Sequence, residues 1–223
     1  QEAVRADGYA LECRLYAEDA RNDFLPVTGT VHRWETPAVE GLRYDSAVES
    51  GARIGIHYDP MIAKIIAHGP DRATAIRRMH YALGRLVCLG LTTNLPFLLR
   101  LLQEPAFRRG DYDTHYISRE MTLGDLYNYP EELHHRAAVA LTLYRWRQRR
   151  EEQPLLNGLP SGWRNNFYQH QQERYRIVES EWEVRYRCWS DHFEFLIGEQ
   201  AYEVRLLAAD AGGVRFEIAG RQE

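Results

Sequence analysis

The chain has 223 residues, of which 44% are hydrophobic and 12% aromatic, and a formal net charge of −4. These values fit a folded protein of one large domain or two small ones, and the acidity argues against general nucleic-acid binding. No apolar run is long enough to cross a membrane, and three widely spaced cysteines indicate thiols in a reducing compartment. Because the chain opens without Met or a signal-peptide pattern, we expect an excerpt of a larger polypeptide.

The first predicted strand is "ALECRLYAED", residues 10–19, where apolar and polar residues alternate. Leu11, Cys13, Leu15 and Ala17 share one face, and Glu12, Arg14 and Tyr16 share the other. Arg14 has two interpretations. It belongs to a solvated sheet face with an ion pair, or it is an anion-stabilising guanidinium held rigid by the sheet.

The rest of the first half predicts a mixture of strands and helices. Short strands are expected in "TGTVHRWETP" and "LRYDSAVESGARI", and "MIAKIIAH" predicts a longer strand that carries Lys64, the only lysine. Two helices follow, one capped by Asp71 and one by Asn94. The first has an apolar stripe of Ile76, Met79, Leu83 and Leu86.

The second half begins with one long helix, "YPEELHHRAAVALTLYRWRQRRE", with acids at its start and arginines at its end. Between Ala137 and Trp146 it is apolar on nearly every side, so something must surround it. We therefore expect four residues to be buried together: Ala138, Val139, Leu141 and Leu143. Ten residues span roughly 15 Å, too little for a membrane. Short aromatic-rich strands follow, from "GWRNNFY" to "GVRFEIAG", and predict an antiparallel barrel closed around the helix. In that barrel one strand is expected to present a single face made of Trp182, Val184, Tyr186 and Cys188.

Two groups of residues are weak candidates for a metal site. His134 and His135 match no common zinc spacing. Asp111, Asp113 and His115 alternate in "GDYDTHY", and a polar loop edge is favoured over a ligand set. The sequence contains no phosphate-cradling glycine loop, nucleophile elbow or HExxH, so it predicts no metal ligands and no complete catalytic constellation.

Five segments in order across residues 1–118 are familiar as a set: "GYALECRLYAED", "FLPVTGTV", "YDPMIAKIIAHGPDRATAIRRMHYAL", "GLTTNLPFL" and "GDYDTHYI". Together they resemble the C-terminal domain of biotin carboxylase. The second half resembles the linking domain of acyl-CoA carboxylase α subunits, in which a long helix lies inside a β-barrel. "LPSGWRNN" and "GLTTN" are most similar to methylcrotonyl-CoA carboxylase, followed by propionyl-CoA and other acyl-CoA carboxylases.

The resemblance implies a role for three residues. In the family, ATP and bicarbonate drive carboxylation of biotin, and an arginine in the "ECR" motif stabilises negative charge on the ureido oxygen. Arg14 occupies that place, and a rigid, permanently charged guanidinium suits the task. The segment at Thr114 and His115 corresponds to one wall of the adenine pocket. Lys64 does not match the biotinylated "MKM" motif, so the chain is expected to carry no biotin.

The resemblance also sets expectations for the whole chain. We expect an α+β fold with a biotin carboxylase C-terminal domain at 1–118 and a barrel-type linking domain at 119–223. The implied partners are the carboxyltransferase β subunit, bound through the barrel, and the biotin carrier domain. ATP-grasp domains with the Mg²⁺ ligands are expected outside this chain, in a bacterial cytoplasm or a mitochondrial matrix. The competing hypothesis is an interaction module whose first half is a passive support.

Overall fold

The computed structural model describes residues 6–152, 169–178, 180–189, 191–210 and 212–223. The chain forms two compact units, Gln1–Tyr127 and Asn128–Glu223. The first unit extends past residue 118 because Leu123 and Tyr127 pack against its core and Leu126 is buried in it. The boundary of the two domains, expected at 118/119, stays a prediction.

The first unit is built on a three-stranded antiparallel sheet with the order β1-β8-β6. Its strands are β1 (Tyr9–Tyr16), β2 (Glu18–Asp19), β3 (Leu25–Pro26), β4 (Gly29–Thr30), β5 (Arg33–Glu35), β6 (Leu42–Ser46), β7 (Arg53–Ile54), β8 (Met61–Gly69) and β9 (Val87–Leu89). Its helices are α1 (Arg72–Arg85), α2 (Leu95–Leu101), α3 (Pro105–Arg109) and α4 (Tyr116–Glu120). The short strands pair as β2-β3, β4-β7 and β5-β9.

Helix α1 begins as the sequence predicts. Asp71 is the N-cap, and its carboxylate accepts a hydrogen bond from the Thr74 backbone N–H at 2.7 Å. Ile76, Met79 and Leu83 are buried in one core with the apolar side of β1 and β8. This packing leaves the other side of the sheet, where the polar residues of β1 lie, free of α1.

The second unit consists of one long helix and a six-stranded antiparallel meander. The helix α5 spans Glu131–Glu152, and the strands are β10 (Gln171–Ile177), β11 (Ser180–Cys188), β12 (Phe193–Ile197), β13 (Gln200–Asp210), β14 (Gly213–Ile218) and β15 (Arg221–Gln222). The predicted face of β11 is confirmed, since Val184 and Tyr186 are fully buried and Trp182 and Cys188 pack against the same core.

Helix α5 contacts β10, β11, β13 and β14, so the sheet curves around much of it. Ala138, Val139 and Leu143 are buried as predicted. The prediction for Leu141 is wrong, because this residue is 43% exposed and shares an uncovered stripe with Arg145. A helix face is covered only where the sheet reaches it, and the described strands leave this stripe open.

The closed barrel stays a prediction. In the described ranges β10 and β15 are the two edges of the sheet, and the predicted strand "GWRNNFY", with "LPSGWRNN", lies outside the described residues. Within those same ranges, no helix has the length and apolar character that a membrane crossing requires.

Candidate functional site

Arg14 lies near the C-terminal end of β1 on the polar side of the three-stranded sheet. Its neighbours Cys13 and Leu15 are 8% and 0% exposed and anchor the strand in the core. Burial raises the pKa of the Cys13 thiol to about 12, so this cysteine is an inert core residue. The backbone that carries Arg14 is therefore held on one side by packing.

The Arg14 guanidinium is exposed and paired with an acid on its own strand. Its Nε lies 3.0 Å from Oε1 of Glu12, and the two side chains are 58% and 40% exposed. The hydrogen bond to Glu12, followed by one to Tyr16, raises the pKa of the guanidinium above its usual value. Arg14 is thus a fixed positive charge that solvent and ligands can reach.

The polar side of the sheet holds more positive than negative side chains around Arg14. The strand register places Arg14 opposite Lys64, and Lys64 opposite Asp45 on β6. Arg43 also lies on β6, and its Nη2 is 3.1 Å from Oδ2 of Asp45. With Glu12 this makes three cations and two carboxylates, and among the described residues the Lys64 ammonium has no ion-pair partner. Such a surface suits an anionic group.

Asn94 holds the β1 backbone at Arg14, a role that the sequence did not reveal. Its Oδ1 accepts a hydrogen bond from the Tyr16 N–H at 3.0 Å, and its Nδ2 donates to the Arg14 carbonyl at 3.2 Å. The β1–β8 register shifts between Leu15 and Tyr16, and it is the Tyr16 N–H that donates to Asn94. Asn94 is 5% exposed and is the N-cap residue of α2 as predicted, but its side chain makes no cap hydrogen bond to that helix. Its buried side chain thus satisfies two backbone groups of β1, which is an edge strand of the described three-stranded sheet.

Thr114 and His115 lie together in the connection between α3 and α4, and both are exposed. Asp113 shapes this connection, because its Oδ1 accepts a hydrogen bond from the His115 N–H at 3.0 Å and its Oδ2 lies 3.1 Å from Arg119 Nη1. The Arg119 hydrogen bond lowers the pKa of Asp113. In the described part of the chain, neither Thr114 nor His115 shares a hydrogen bond, ion pair or ring contact with Arg14.

Arg72 contacts both the start of β1 and the segment that leads to Thr114. Its guanidinium lies 5.2 Å, 5.1 Å and 5.6 Å from the ring centroids of Tyr9, Phe107 and Tyr112 and donates to the Tyr9 hydroxyl and the Phe107 carbonyl. Sequence reasoning missed this arginine. The sequence feature that could have indicated it is the pair of aromatic residues, Phe107 and Tyr112, on either side of Gly110.

Glu18 and Asp59 are two acids that interact just beyond the end of β1. Burial, followed by the negative charge of Asp59, raises the pKa of Glu18. Asp59 is fixed by the loop that enters β8, since its Oδ1 accepts a hydrogen bond from the Met61 N–H at 2.8 Å. The sequence does not single out this pair, because Glu18 and Asp59 come together only when β2 meets this loop.

The paired histidines of α5 do not form a metal centre with other ligands in the described ranges. His135 is fully buried, its Nδ1 lies 2.7 Å from the Tyr202 hydroxyl, and its ring packs edge-on against Trp182. The same search of those ranges finds no metal-binding group at Asp111, Asp113 and His115.

Residues 12–119 match the family model described as the biotin carboxylase C-terminal domain. The first unit contains a biotin carboxylase C-terminal domain. Arg14, Thr114 and His115 all fall within the matched range. This match confirms the resemblance of the first half.

Several relatives of this domain are parts of larger carboxylases. The methylcrotonoyl-CoA carboxylase subunit alpha of Glycine max mitochondria is 37% identical over 133 residues, which are 60% of this chain and 17% of that protein. The mitochondrial propionyl-CoA carboxylase alpha chain of Caenorhabditis elegans is 44% identical over 119 residues, 52% of this chain and 16% of that protein. The chain therefore spans about a sixth of the length of these relatives.

A solved structure shares the fold. The biotin carboxylase domain of Hydrogenobacter thermophilus 2-oxoglutarate carboxylase, crystallised with MgADP, ADP and bicarbonate, superposes with a TM-score of 0.54 at 34% identity. The superposition covers 59% of this chain and 28% of that one. The relatives thus include carboxylases named for different substrates, and the match to the biotin carboxylase C-terminal domain does not distinguish among them.

Proposed function

We propose that this chain is part of the α subunit of a biotin-dependent acyl-CoA carboxylase and contributes Arg14 to the ATP-dependent biotin carboxylation site. One observation carries the proposal. Within a biotin carboxylase C-terminal domain, Arg14 is exposed on a strand fixed by buried Cys13 and Leu15 and by the Asn94 side chain. A preorganised guanidinium of this kind is what a developing negative charge requires.

Arg14 would stabilise the negative charge on the ureido oxygen of biotin. The bound cofactor supplies the ureido nitrogen that receives the carboxyl group. An exposed ion pair contributes little to stability, so the guanidinium can exchange Glu12 for an anionic ligand at small cost. The excess of cations around Arg14 fits both an oxyanion and bicarbonate, the proposed substrate.

The nucleotide would meet this chain at the exposed segment of Thr114 and His115. A hydroxyl and an imidazole can both hydrogen-bond a purine edge, and the Arg72 and Asp113 contacts hold this segment in one place. The Mg²⁺ ligands and the ATP-grasp domains would lie outside the chain, as would the carrier domain that bears biotin.

The second unit would dock the carboxyltransferase β subunit, with its barrel closed around α5 in the assembly. The contacts that α5 makes with β10, β11, β13 and β14 of this sheet support the proposal. The soybean and nematode relatives are mitochondrial. We propose the mitochondrial matrix for a eukaryotic source or the cytoplasm for a bacterial one.

Methylcrotonyl-CoA is the proposed acyl substrate of the complex, and propionyl-CoA is the second candidate. The alignment with the soybean subunit is the longer one, whereas the nematode propionyl-CoA carboxylase chain is more nearly identical. The remaining alternative is an assembly module without a catalytic role. The exposed Arg14–Glu12 pair is the observation that favours it, because a solvated sheet face has such pairs.

The experiment measures ATP-dependent biotin carboxylation by the intact α subunit carrying Arg14→Ala. We expect the rate to fall about 100- to 1,000-fold, as for loss of an oxyanion-stabilising donor, with an unchanged melting temperature. Arg14→Lys should rescue little, because an ammonium lacks the planar fork.

Arg33→Ala is the matched control for this experiment. Arg33 and Glu35 form the same type of exposed pair on β5, with Nε 2.9 Å from Oε1. The two variants should differ strongly in turnover. If Arg14→Ala turns over normally and only its melting temperature falls, like that of Arg33→Ala, Arg14 has no catalytic role.

A further inference from the structure

A groove of about 520 Å³ lies between α1 and α3 of the first unit. It is lined by Ala73, Ile76, Arg77, His80, Tyr81 and Arg108. Since α1 packs on the apolar side of the β1-β8-β6 sheet, the groove and Arg14 are separated by both the sheet and the helix. The proposed carboxylation chemistry makes no use of this groove.

The floor of the groove is apolar and firmly held. Ile76 is 5% exposed and belongs to the main core of the first unit, so the floor cannot move without the core. Tyr81 is 45% exposed and forms one rim. The Arg85 guanidinium lies 4.8 Å from the centroid of its ring and orients it. The result is a fixed apolar and aromatic surface that a ligand can cover.

The rim of the groove is positively charged. The Arg77 Nη2 donates to the Thr74 hydroxyl at 2.9 Å, and the Arg108 Nε donates to the Leu102 carbonyl at 3.1 Å. Among the described residues neither guanidinium has a carboxylate within ion-pair distance. Both are fixed by neutral partners, so each keeps its charge and several N–H donors for a ligand.

No acid of the groove itself offsets these charges. The six lining residues contain no carboxylate, and α1 has four arginines and no acidic residue although the whole chain has a net charge of −4. The nearest acid along the chain, Asp71, caps α1; hydrogen bonds to Thr74 lower the pKa of its carboxyl, and the charge of Arg77 adds a smaller effect in the same direction. His80 faces Gln103 instead, with its Nε2 3.1 Å from the Gln103 Nε2. The local field therefore favours an anion.

We propose that this groove binds a small amphipathic anion. Its carboxylate, phosphate or sulfonate group pairs with Arg77 and Arg108, and its apolar or aromatic body covers Ile76 and Tyr81. The volume lies in the range of small-molecule sites, about 300–1,000 Å³, and a fixed apolar floor with a few convergent polar groups is typical of such sites. A paired arginine rim gives the selectivity for anions.

The test uses the full chain and the fluorescent probe 1-anilinonaphthalene-8-sulfonate, with N-phenyl-1-naphthylamine as the analogue that lacks the sulfonate. We expect saturable binding of the sulfonate at one site. Arg77→Gln and Arg108→Gln should each raise the Kd of the sulfonate about tenfold, which is the smallest effect expected for the loss of a hydrogen bond to a charged group. The uncharged analogue should bind at least tenfold more weakly, and added salt should weaken binding of the sulfonate.

Two further variants separate binding from folding. Ala73→Glu places a carboxylate at the rim in the first turn of α1, where negative charge stabilises the helix, so it should abolish sulfonate binding and keep the melting temperature. Arg109→Gln removes an exposed arginine of α3 outside the groove and should leave the Kd unchanged. The proposal is overturned if wild type does not bind the sulfonate, if Ala73→Glu binds it as tightly, or if the uncharged analogue binds equally well.

Discussion

The Asn94→Ala variant tests how much the Asn94 side chain stabilises β1 at Arg14. The substitution removes the Oδ1 acceptor of the Tyr16 N–H and the Nδ2 donor to the Arg14 carbonyl. Asn94 is 5% exposed, so water reaches these groups poorly. A buried polar group without a partner costs about 1–3 kcal/mol, and the two together cost about 2–6 kcal/mol. The backbone bond from the Asn94 N–H to the Tyr16 carbonyl, at 3.1 Å, remains.

The free energy of unfolding is measured by urea titration, with the m-value as a check that only stability has changed. Thr93→Val is the matched control, because Thr93 is also buried but its hydroxyl accepts only a long bond, 3.4 Å from the Leu95 N–H. Amide hydrogen exchange of Tyr16 reports the bond itself and should lose protection in Asn94→Ala alone. Unchanged Tyr16 protection together with an unchanged urea midpoint would refute the role assigned to Asn94.

Three further predictions concern helix α5, the Glu18 carboxyl and nucleotide binding. Leu143→Asp should unfold the second unit, because Leu143 is fully buried, whereas Leu141→Asp should be tolerated at 43% exposure; tryptophan fluorescence during thermal melting distinguishes them. Folding raises the pKa of Glu18 above its ordinary 4.5, so the charged carboxylate lowers the free energy of unfolding at pH values above the folded pKa, and this cost is absent below pH 4.5. Glu18→Gln should therefore raise the urea midpoint relative to wild type at pH 7, and the difference should vanish near pH 4. Equal midpoints of the variant and the wild type at both pH values would contradict this. The chain alone should not bind ATP at micromolar concentrations by calorimetry, because one wall of a pocket cannot hold a triphosphate; tight binding would show that the nucleotide site is misplaced.

The local elements of this protein follow from its sequence because their causes are local. Alternation predicts that Cys13 and Leu15 are buried and that Arg14 is exposed, and the structure agrees. Asp71 caps α1 because it needs only the N–H of Thr74, three residues away. Aromatic and β-branched alternation likewise predicts the buried face of β11.

The tertiary structure decided which partner each polar group takes and which helix face is covered. Asn94 is the N-cap residue of α2, yet its side chain bonds to a strand 78 to 80 residues away, because β1 is an edge strand of the described sheet and its backbone groups there need partners. Leu141 and Leu143 are equally apolar in sequence, but only Leu143 faces the sheet. Arg77 of α1 and Arg108 of α3 line one groove only because the two helices pack against each other. Each of these outcomes depends on the distance between elements, which composition and periodicity do not contain.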